Sequence, residues 1–240
     1  MLGVEMKTKI LTIAIVAAMI LSGIYFYSGH LMMLFFARSN DLDISYKDLK
    51  QVSFGDISLS GLDIVERPKG VGLSSQRARI KLAWKGASST KALVDFNLQE
   101  VHFIKRSADK APVYDTLDNL IAIPFSSQWK YEEISGKIYS SKEGLNIKDF
   151  SAKSNDLKFS LSGILYDDSS NIKMEIFVYF SDNLTKRIPP ELSGMVLRDE
   201  SEGWKSFAVK LEGDYMKPSI QVSGKLFRLN IGLKESGGPS

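Results

Sequence analysis

The chain has 240 residues, of which 44% are hydrophobic and 25% are charged, and its formal net charge is +3. It contains no cysteine, which excludes disulfides, thiolate metal sites and cysteine nucleophiles. The two histidines argue against a histidine-based triad or metal centre, and the near balance of charge gives no electrostatic footprint for nucleic acid. The composition therefore favours neither a metalloenzyme nor a nucleic-acid binder.

A stretch without charged residues runs from Ile10 to Ala37. Because about 20 apolar helical residues cross a hydrocarbon core of about 30 Å, residues 10–37 are predicted to form a transmembrane anchor with a juxtamembrane apolar segment. Tyr25, Phe26 and Tyr27 are expected at the far membrane interface, where aromatic side chains concentrate. A cleaved signal peptide is the alternative, but its apolar core is usually shorter, and no small-x-small cleavage site follows this stretch.

The charges on either side of this stretch indicate its orientation. Two lysines precede it, whereas Arg38 on the far side is soon followed by acidic residues. Since lysine and arginine are enriched on the cytoplasmic side of membrane spans, residues 1–9 are expected in the cytoplasm. The rest of the chain is then exported, with residues 38–232 as one β domain and residues 233–240 as a flexible tail.

Beyond residue 37, apolar residues recur at every second position, which is the period of a strand with one apolar and one polar face. About ten such strands are predicted between residues 42 and 232, separated by turn clusters such as Pro68-Lys69-Gly70. A Ser-Gly pair recurs in several of them, and glycine inside a strand often marks a bulge; chance is the alternative, since both residues are common. The clearest predicted strands are residues 78–84, 94–98, 159–165, 172–180, 207–211 and 220–226.

Helical patterns are confined to short segments near residues 114–121, 183–187 and 191–197. They are too few to cover the apolar face of about ten strands, which must nevertheless be buried. The fold class is therefore predicted as mainly β, with an antiparallel sheet that either closes as a sandwich or curls into a trough able to hold acyl chains. Periodicity alone favours the sandwich. The expected lining of a trough consists of Phe159, Leu161, Met174, Ile176, Val178 and Phe180.

No residue pattern in the chain is typical of a catalytic site. The carboxylate pairs Glu132-Glu133, Asp167-Asp168 and Asp199-Glu200 are interpreted as solvated residues, because neighbouring strand residues point to opposite faces and two of the pairs lie in turn-like sequence. His102 is expected on the polar face of its strand, and the three tryptophans in core or rim packing. No catalytic, cofactor-binding or metal-ligating residue is predicted, and the protein is expected not to be an enzyme.

Several segments resemble AsmA-like envelope proteins, the family that includes the TamB and YdbH types. The similarity lies in the anchor followed by the strand pair 42–46 and 54–64, in the strand–strand–glycine unit from Gly144 to Gly163, and in Gly213 followed by Lys217-Pro218-Ser219-Ile220. These are patterns of short strands that cover most of the chain. The type II secretion protein N family is similar in size, anchor and strand style and is the second choice.

The resemblance to AsmA-like proteins implies a β-taco or jelly-roll-like groove with an apolar interior. It also implies a single-pass protein of the bacterial inner membrane, with the bulk of the chain in the periplasm. The implied role is lipid handling, intermembrane lipid transport or outer-membrane assembly, with phospholipid acyl chains and other envelope proteins as partners. The alternative resemblance implies a structural component of a secretion apparatus. Ten strands stack to about 50 Å at most, so this chain is too short to bridge an envelope alone.

Overall fold

The computed structural model describes residues 37, 41–53, 55–67, 70–84, 92–105, 116–166, 171–214, 217–226 and 228–231. Within these residues the protein is mainly β, with one large antiparallel sheet and few helices. The strands are β1 (Leu42–Ser45), β2 (Asp48–Ser53), β3 (Asp56–Glu66), β4 (Gly72–Trp84), β5 (Ala92–Ile104), β6 (Lys130–Ser140), β7 (Gly144–Lys153), β8 (Leu157–Tyr166), β9 (Asn171–Phe180), β10 (Arg198–Asp199), β11 (Lys205–Asp214), β12 (Ser219–Ser223) and β13 (Arg228–Ile231).

The sheet is a meander in which strands that follow one another in the chain are hydrogen-bonded neighbours. The order is β1-β3-β4-β5-β6-β7-β8-β9-β11-β12-β13. Strands β1 and β2 pair with successive parts of β3, and the short β10 pairs with the beginning of β11. Antiparallel neighbours need only short connections, so no crossover is required.

The described helices between strands all lie in connections at one end of the sheet, which we call the helical end. Helix α1 (Leu117–Ala122) and a 3-10 turn (Ile123–Phe125) connect β5 to β6. Helices α2 (Asp182–Thr185) and α3 (Pro190–Val196), with a second 3-10 turn (Ser201–Gly203), lie between β9 and β11. The opposite end, which we call the far end, carries the connections β2–β3, β4–β5, β6–β7, β8–β9 and β11–β12.

Local sequence explains where these helices begin. The Thr116 side chain accepts a hydrogen bond from the Asn119 N–H at the start of α1, and the Ser181 hydroxyl accepts one from Leu184 N–H at the start of α2. Serine and threonine are preferred at this position because they satisfy an N–H that the helix leaves unpaired. Helix α3 instead begins with Pro190, and proline is tolerated in the first turn of a helix because the N–H that it lacks would be unpaired there.

The alternation of inward and outward residues changes phase at one level of the sheet. In β3 to β6 two residues, instead of one, separate successive buried positions, as between Leu98 and Val101 or between Ile134 and Tyr131. Gly61 in β3 and Glu100 in β5 take positive φ angles of 57° and 55° there. Neighbouring strands from β3 to β6 each have one extra residue at this level, so their pairing continues beyond it without a shift in register. The inward face therefore stays apolar on both sides of the phase change.

Aromatic side chains hold the centre of this face together. Tyr131 and Phe159 lie two strands apart, yet their ring centroids are 5.6 Å apart because only the small Ala152 lies between them in the sheet. Phe150 contacts Phe159 at 5.6 Å, and Phe125 of the 3-10 turn contacts the same ring at 5.6 Å. Such tilted and edge-on pairs contribute about 0.5–1.5 kcal/mol each beyond their burial. The cluster fixes the β5–β6 connection onto the sheet.

The hydroxyl of Tyr131 makes the polar contact of this cluster. It donates a hydrogen bond of 2.7 Å to the backbone carbonyl of Pro124 in the 3-10 turn. The side chain is fully buried, and this burial raises the pKa of Tyr131 above its ordinary value. The hydroxyl is therefore neutral and remains a hydrogen-bond donor throughout the physiological pH range.

The prediction of a mainly β chain with few helices is confirmed, and the three described helices fall within or beside the predicted helical segments. The strand predicted for residues 220–226 is wrong at its end, because β12 stops at Ser223 and Leu226 lies in the next connection. The predicted anchor lies outside the described residues, except for Ala37, which is helical and buried. In the part of the chain that the structure describes, no helix has the length and apolar character needed to cross a membrane.

We expect Tyr131→Phe to destabilise the protein by about 1–2 kcal/mol, because the buried Pro124 carbonyl would lose its donor. Urea unfolding followed by circular dichroism measures this loss. Tyr139→Phe, a half-buried position on the same strand, is the control and should change stability less. Equal stability of Tyr131→Phe and the native chain would show that this hydrogen bond does not hold the 3-10 turn.

Candidate functional site

The inward face of the sheet contains a row of directly paired residues that is closed to solvent. We call it the buried row. Its members come from eight strands and are each 6% exposed or less. At about 1.5–3 kcal/mol for each large apolar side chain, this row is a main source of stability. It consists of Leu59, Ala78, Leu98, Ile134, Ala152, Phe159, Val178 and Phe207.

A second row of paired residues lies on the same face, about 13 Å closer to the far end, since four residues of strand separate the two rows in most strands. We call it the half-buried row, because each member keeps part of its surface in contact with solvent. Apart from one glycine, its members are all aliphatic or methionine. It consists of Leu82, Val94, Ile138, Ile147, Gly163, Met174, Leu211 and Ile220.

The burial of this face therefore changes along the strands. It is complete near the helical end, where α1, α2, α3 and the first 3-10 turn supply buried residues such as Leu120, Leu184 and Val196 to the same core. It is partial at the half-buried row, toward the far end, where the described residues include no helix, although Ile172 beyond that row on β9 is again buried. The face is thus an apolar surface that is covered at one end and accessible at the other.

Two glycines on this surface have close neighbours. A Cβ atom on Gly163 would lie 2.3 Å from the Lys173 carbonyl oxygen and 2.7 Å from Met174 Cα. A Cβ atom on Gly136 would lie 2.9 Å from the Phe96 ring and 3.2 Å from Phe150 Cα. Gly163 therefore requires glycine because a Cβ would meet the backbone of β9, whereas at Gly136 the Phe96 ring would have to shift. Each is the glycine of a Ser-Gly pair that the sequence singled out.

The six residues predicted to line a trough all lie on this inward face, in the neighbouring strands β8 and β9. Four of them, Phe159, Ile176, Val178 and Phe180, are buried in the core. Leu161 and Met174 are half-buried, and only Met174 belongs to the half-buried row. The predicted interface residues Tyr25, Phe26 and Tyr27 lie outside the described residues. Sequence reasoning missed the other members of the half-buried row, although their alternation was visible.

The outward face is polar and carries paired charges. Arg79 donates two hydrogen bonds to Asp56, of 3.1 and 2.9 Å, and these hold the pKa of the Asp56 carboxyl below its ordinary value. Lys137 lies 3.2 Å from Asp149, and that hydrogen bond raises the lysine pKa. Exposed pairs of this kind contribute little energy individually. Their effect is to keep this part of the outward face hydrated, although the same face also carries Phe177 paired with the buried Ala208.

Other candidate residues are placed as follows. Glu200 accepts a 2.6 Å hydrogen bond from Ser206, while hydrogen bonding and charge from Lys225 lower the pKa of Asp199. Glu132 and Glu133 lie between two buried residues at the phase change, which corrects the expectation that they point to opposite faces by simple alternation. The pair Asp167-Asp168 lies outside the described residues. Within the described ranges, no group of three or more acidic or histidine residues is placed to hold a metal ion.

The remaining aromatic and histidine candidates lie at the surface or its margin. His102 is exposed on β5. Trp204 is half-buried and has the Lys158 ammonium 3.7 Å from its ring centroid, a cation–π contact at the helical end. Trp129 is half-buried against the core. Neither tryptophan belongs to the two apolar rows.

Comparison with known proteins adds no family to this geometry. No family model matches the chain, and neither the curated proteins nor the solved structures contain a match. The resemblance to AsmA-like proteins therefore remains a prediction from the sequence.

We expect Gly163→Ala to destabilise the protein by about 1–3 kcal/mol, because the added methyl group would press on the backbone of β9. Gly194→Ala is the matched control, since nothing lies within 4 Å of its Cβ position and alanine favours a helix. Thermal unfolding of both variants measures the contrast. If both substitutions raise stability alike, the result would contradict a close approach of β8 and β9 at Gly163.

We expect the stability contributed by the Asp56–Arg79 pair to depend on pH. The folded pKa of Asp56 is lowered, so the contribution is complete above the unfolded pKa of about 3.9 and is lost as pH falls through the folded value. Asp56→Asn should therefore be less stable than the native chain at pH 7 and closer to it at pH 2.5. Urea midpoints at the two values measure this, and a constant difference would contradict it.

Proposed function

We propose that this protein binds acyl chains on its inward face and takes part in lipid handling at the bacterial inner membrane, with a single-pass anchor and a periplasmic β domain. The observation that carries the proposal is the half-buried row, an apolar strip across eight strands whose members remain partly accessible. Soluble domains rarely leave a contiguous apolar strip accessible unless something binds there. The role proposed is binding rather than catalysis.

The dimensions of the row suit such a ligand. Its eight strands define seven spacings of about 4.8 Å, which gives a length of about 34 Å. The hydrocarbon core of a bilayer, about 30 Å thick, contains two opposed layers of acyl chains. The row is therefore longer than a single extended acyl chain and offers it continuous apolar contact.

The composition of the row also favours an apolar, flexible ligand. It contains branched aliphatic residues and Met174, whose unbranched side chain adapts to irregular ligands. No charged residue occurs in the row, so it offers no partner for a polar headgroup. A bound lipid would therefore place its chain along the row and its headgroup in solvent beyond one edge of the sheet.

This proposal requires the trough, not the sandwich, of the two architectures that alternation allows. Support comes from the difference in burial between the two rows, because a closed sandwich would bury both rows to the same degree. The buried row lies on the side of the helical end, whose helices contribute to the same core. A structural role in a secretion apparatus remains the alternative, and it would require no lipid in the row.

The test is photo-crosslinking of the full chain in bacterial cells. A photoreactive residue at Met174 or Leu211 should capture phospholipid, because both side chains face the apolar surface and reach solvent. The matched controls are Glu175 and Lys210, the next residues on the same strands, which form a salt bridge of 3.4 Å on the outward face. These controls should capture no lipid.

The outcome distinguishes the two functions. Lipid adducts at Met174 and Leu211 alone support acyl-chain binding. Adducts exclusively with proteins at these positions would overturn it and favour the structural role. Equal lipid capture at all four positions would show nonspecific contact with the membrane, which also contradicts a specific apolar site.

A further inference from the structure

Connections at the helical end expose large apolar side chains. Among the described residues, the β3–β4 connection exposes Val71 (39%), the β5–β6 connection Phe125 (41%), helix α3 Met195 (50%), and the β12–β13 connection Leu226 (72%). Connections between strands are normally polar, with glycine, proline, asparagine, aspartate and serine dominant. The other exposed large apolar residues, Val52, Leu145 and Leu229, lie within strands, so the distinctive feature is one such residue in each of four separate connections at the same end. We call these four residues the apolar tips.

Two of the apolar tips are held next to each other by the fold. The Leu226 N–H donates a 3.1 Å hydrogen bond to the Met195 carbonyl, and the Lys225 N–H donates to the neighbouring Val196 carbonyl. The β12–β13 connection is thereby fixed to the C-terminal end of α3. Phe125 is fixed differently, since one side of its ring packs on Phe103 and Phe159 while the other side is exposed. The tips are thus anchored parts of the structure rather than loose side chains.

The uncharged stretch enters the domain at the same end. It finishes at Ala37, and β1 begins at Leu42, where Leu42 pairs with Glu66 at the helical end of β3. Five residue steps span at most about 18 Å. If residues 10–37 are in a bilayer, the helical end is therefore held close to its surface, whereas the far end lies a strand length away.

We infer that the helical end docks on the lipid surface, with the apolar tips inserted between the headgroups and the strands directed away from the membrane. The inference rests on the membrane anchor of the proposed function but not on acyl-chain binding in the half-buried row. Between the headgroups, large apolar side chains leave water and contact the upper part of the acyl chains. Four tips on separate connections form a broad base that fixes the tilt of the domain.

The attraction arises from the apolar tips rather than from charge. Charged residues in these connections have both signs and are partly paired, as in Lys225 with Asp199 at 2.7 Å and Lys186 with Asp182 at 2.6 Å. A surface attracted by anionic lipid would present an excess of lysine and arginine. Docking is therefore expected on zwitterionic lipid and is expected to persist at high salt.

This orientation assigns a direction to the inward face. The half-buried row lies toward the far end, about 20 Å from the helical end when counted from Phe180 to Met174 along β9. The row then faces the aqueous compartment rather than the bilayer beneath the domain. Apolar cargo would have to reach it across water or from another protein, not by lateral diffusion in the membrane.

The experiment uses the full chain in phosphatidylcholine nanodiscs, with and without brominated acyl chains. Because the native chain contains no cysteine, single cysteines can be introduced and labelled directly with an environment-sensitive fluorophore. The labelled variants are Val71→Cys, Phe125→Cys, Met195→Cys and Leu226→Cys. The control is Val52→Cys in β2, a similarly exposed apolar residue (51%) next to the β2–β3 turn at the far end.

Brominated lipid should quench the label at the four tips but not at Val52, and the quenching should be the same in low and high salt. Labels at the tips that are not quenched would overturn the inference, as would quenching that disappears in high salt. Equal quenching at Val52 would also overturn it, because the domain would then lie flat. Lipid capture at Met174 is a separate readout, so acyl-chain binding can stand or fail independently of this docking.

Discussion

The register between neighbouring strands is the constraint on which the rest of this structure depends. Side chains alternate between faces, so a slip of one residue in any pair would move the apolar side chains of that strand to the outward face. The buried row and the half-buried row exist because nine strands keep their registers. Where the inward positions change phase, positive-φ residues such as Gly61, Glu100 and Asp149 absorb the extra residue. Registers, and not individual contacts, therefore define the apolar face.

Residue size then determines how this face packs. Ala152 and Gly136 are small, so aromatic rings on strands two positions apart meet above them, as Tyr131 and Phe159 do at 5.6 Å and Phe96 and Phe150 at 6.0 Å. A meander has few contacts between distant parts of the chain. Rings that bridge over a small residue supply such contacts within the sheet, and Phe125 extends the cluster to the helical end. The same end is consequently the most completely buried.

The sequence predicted the face of a residue better than its depth. Alternation placed Phe159, Met174 and Ile176 on one face of adjoining strands, and the structure has them there. It carried no information on how far each lies from the helical end, which decides that Phe159 is buried and Met174 is half-buried. That information depends on which connections contain helices and on which strands become neighbours. Helix starts at Thr116 and Ser181 could be predicted from the residue types, but the surface that the helices cover could not.

For a related reason, the sequence pattern did not predict the phase change or the apolar tips. Leu226 continued an alternating pattern and was therefore assigned to a strand, yet β12 ends at Ser223 because the next residues bond to the end of α3. An apolar residue that continues an alternating pattern is assigned to the core, unless it is known that the chain leaves the sheet before that residue. Because Leu226 lies outside the sheet, its apolar side chain calls for a different explanation. A large apolar side chain that the fold holds outside the core is stabilised by another apolar environment, and the membrane inferred at the helical end provides one.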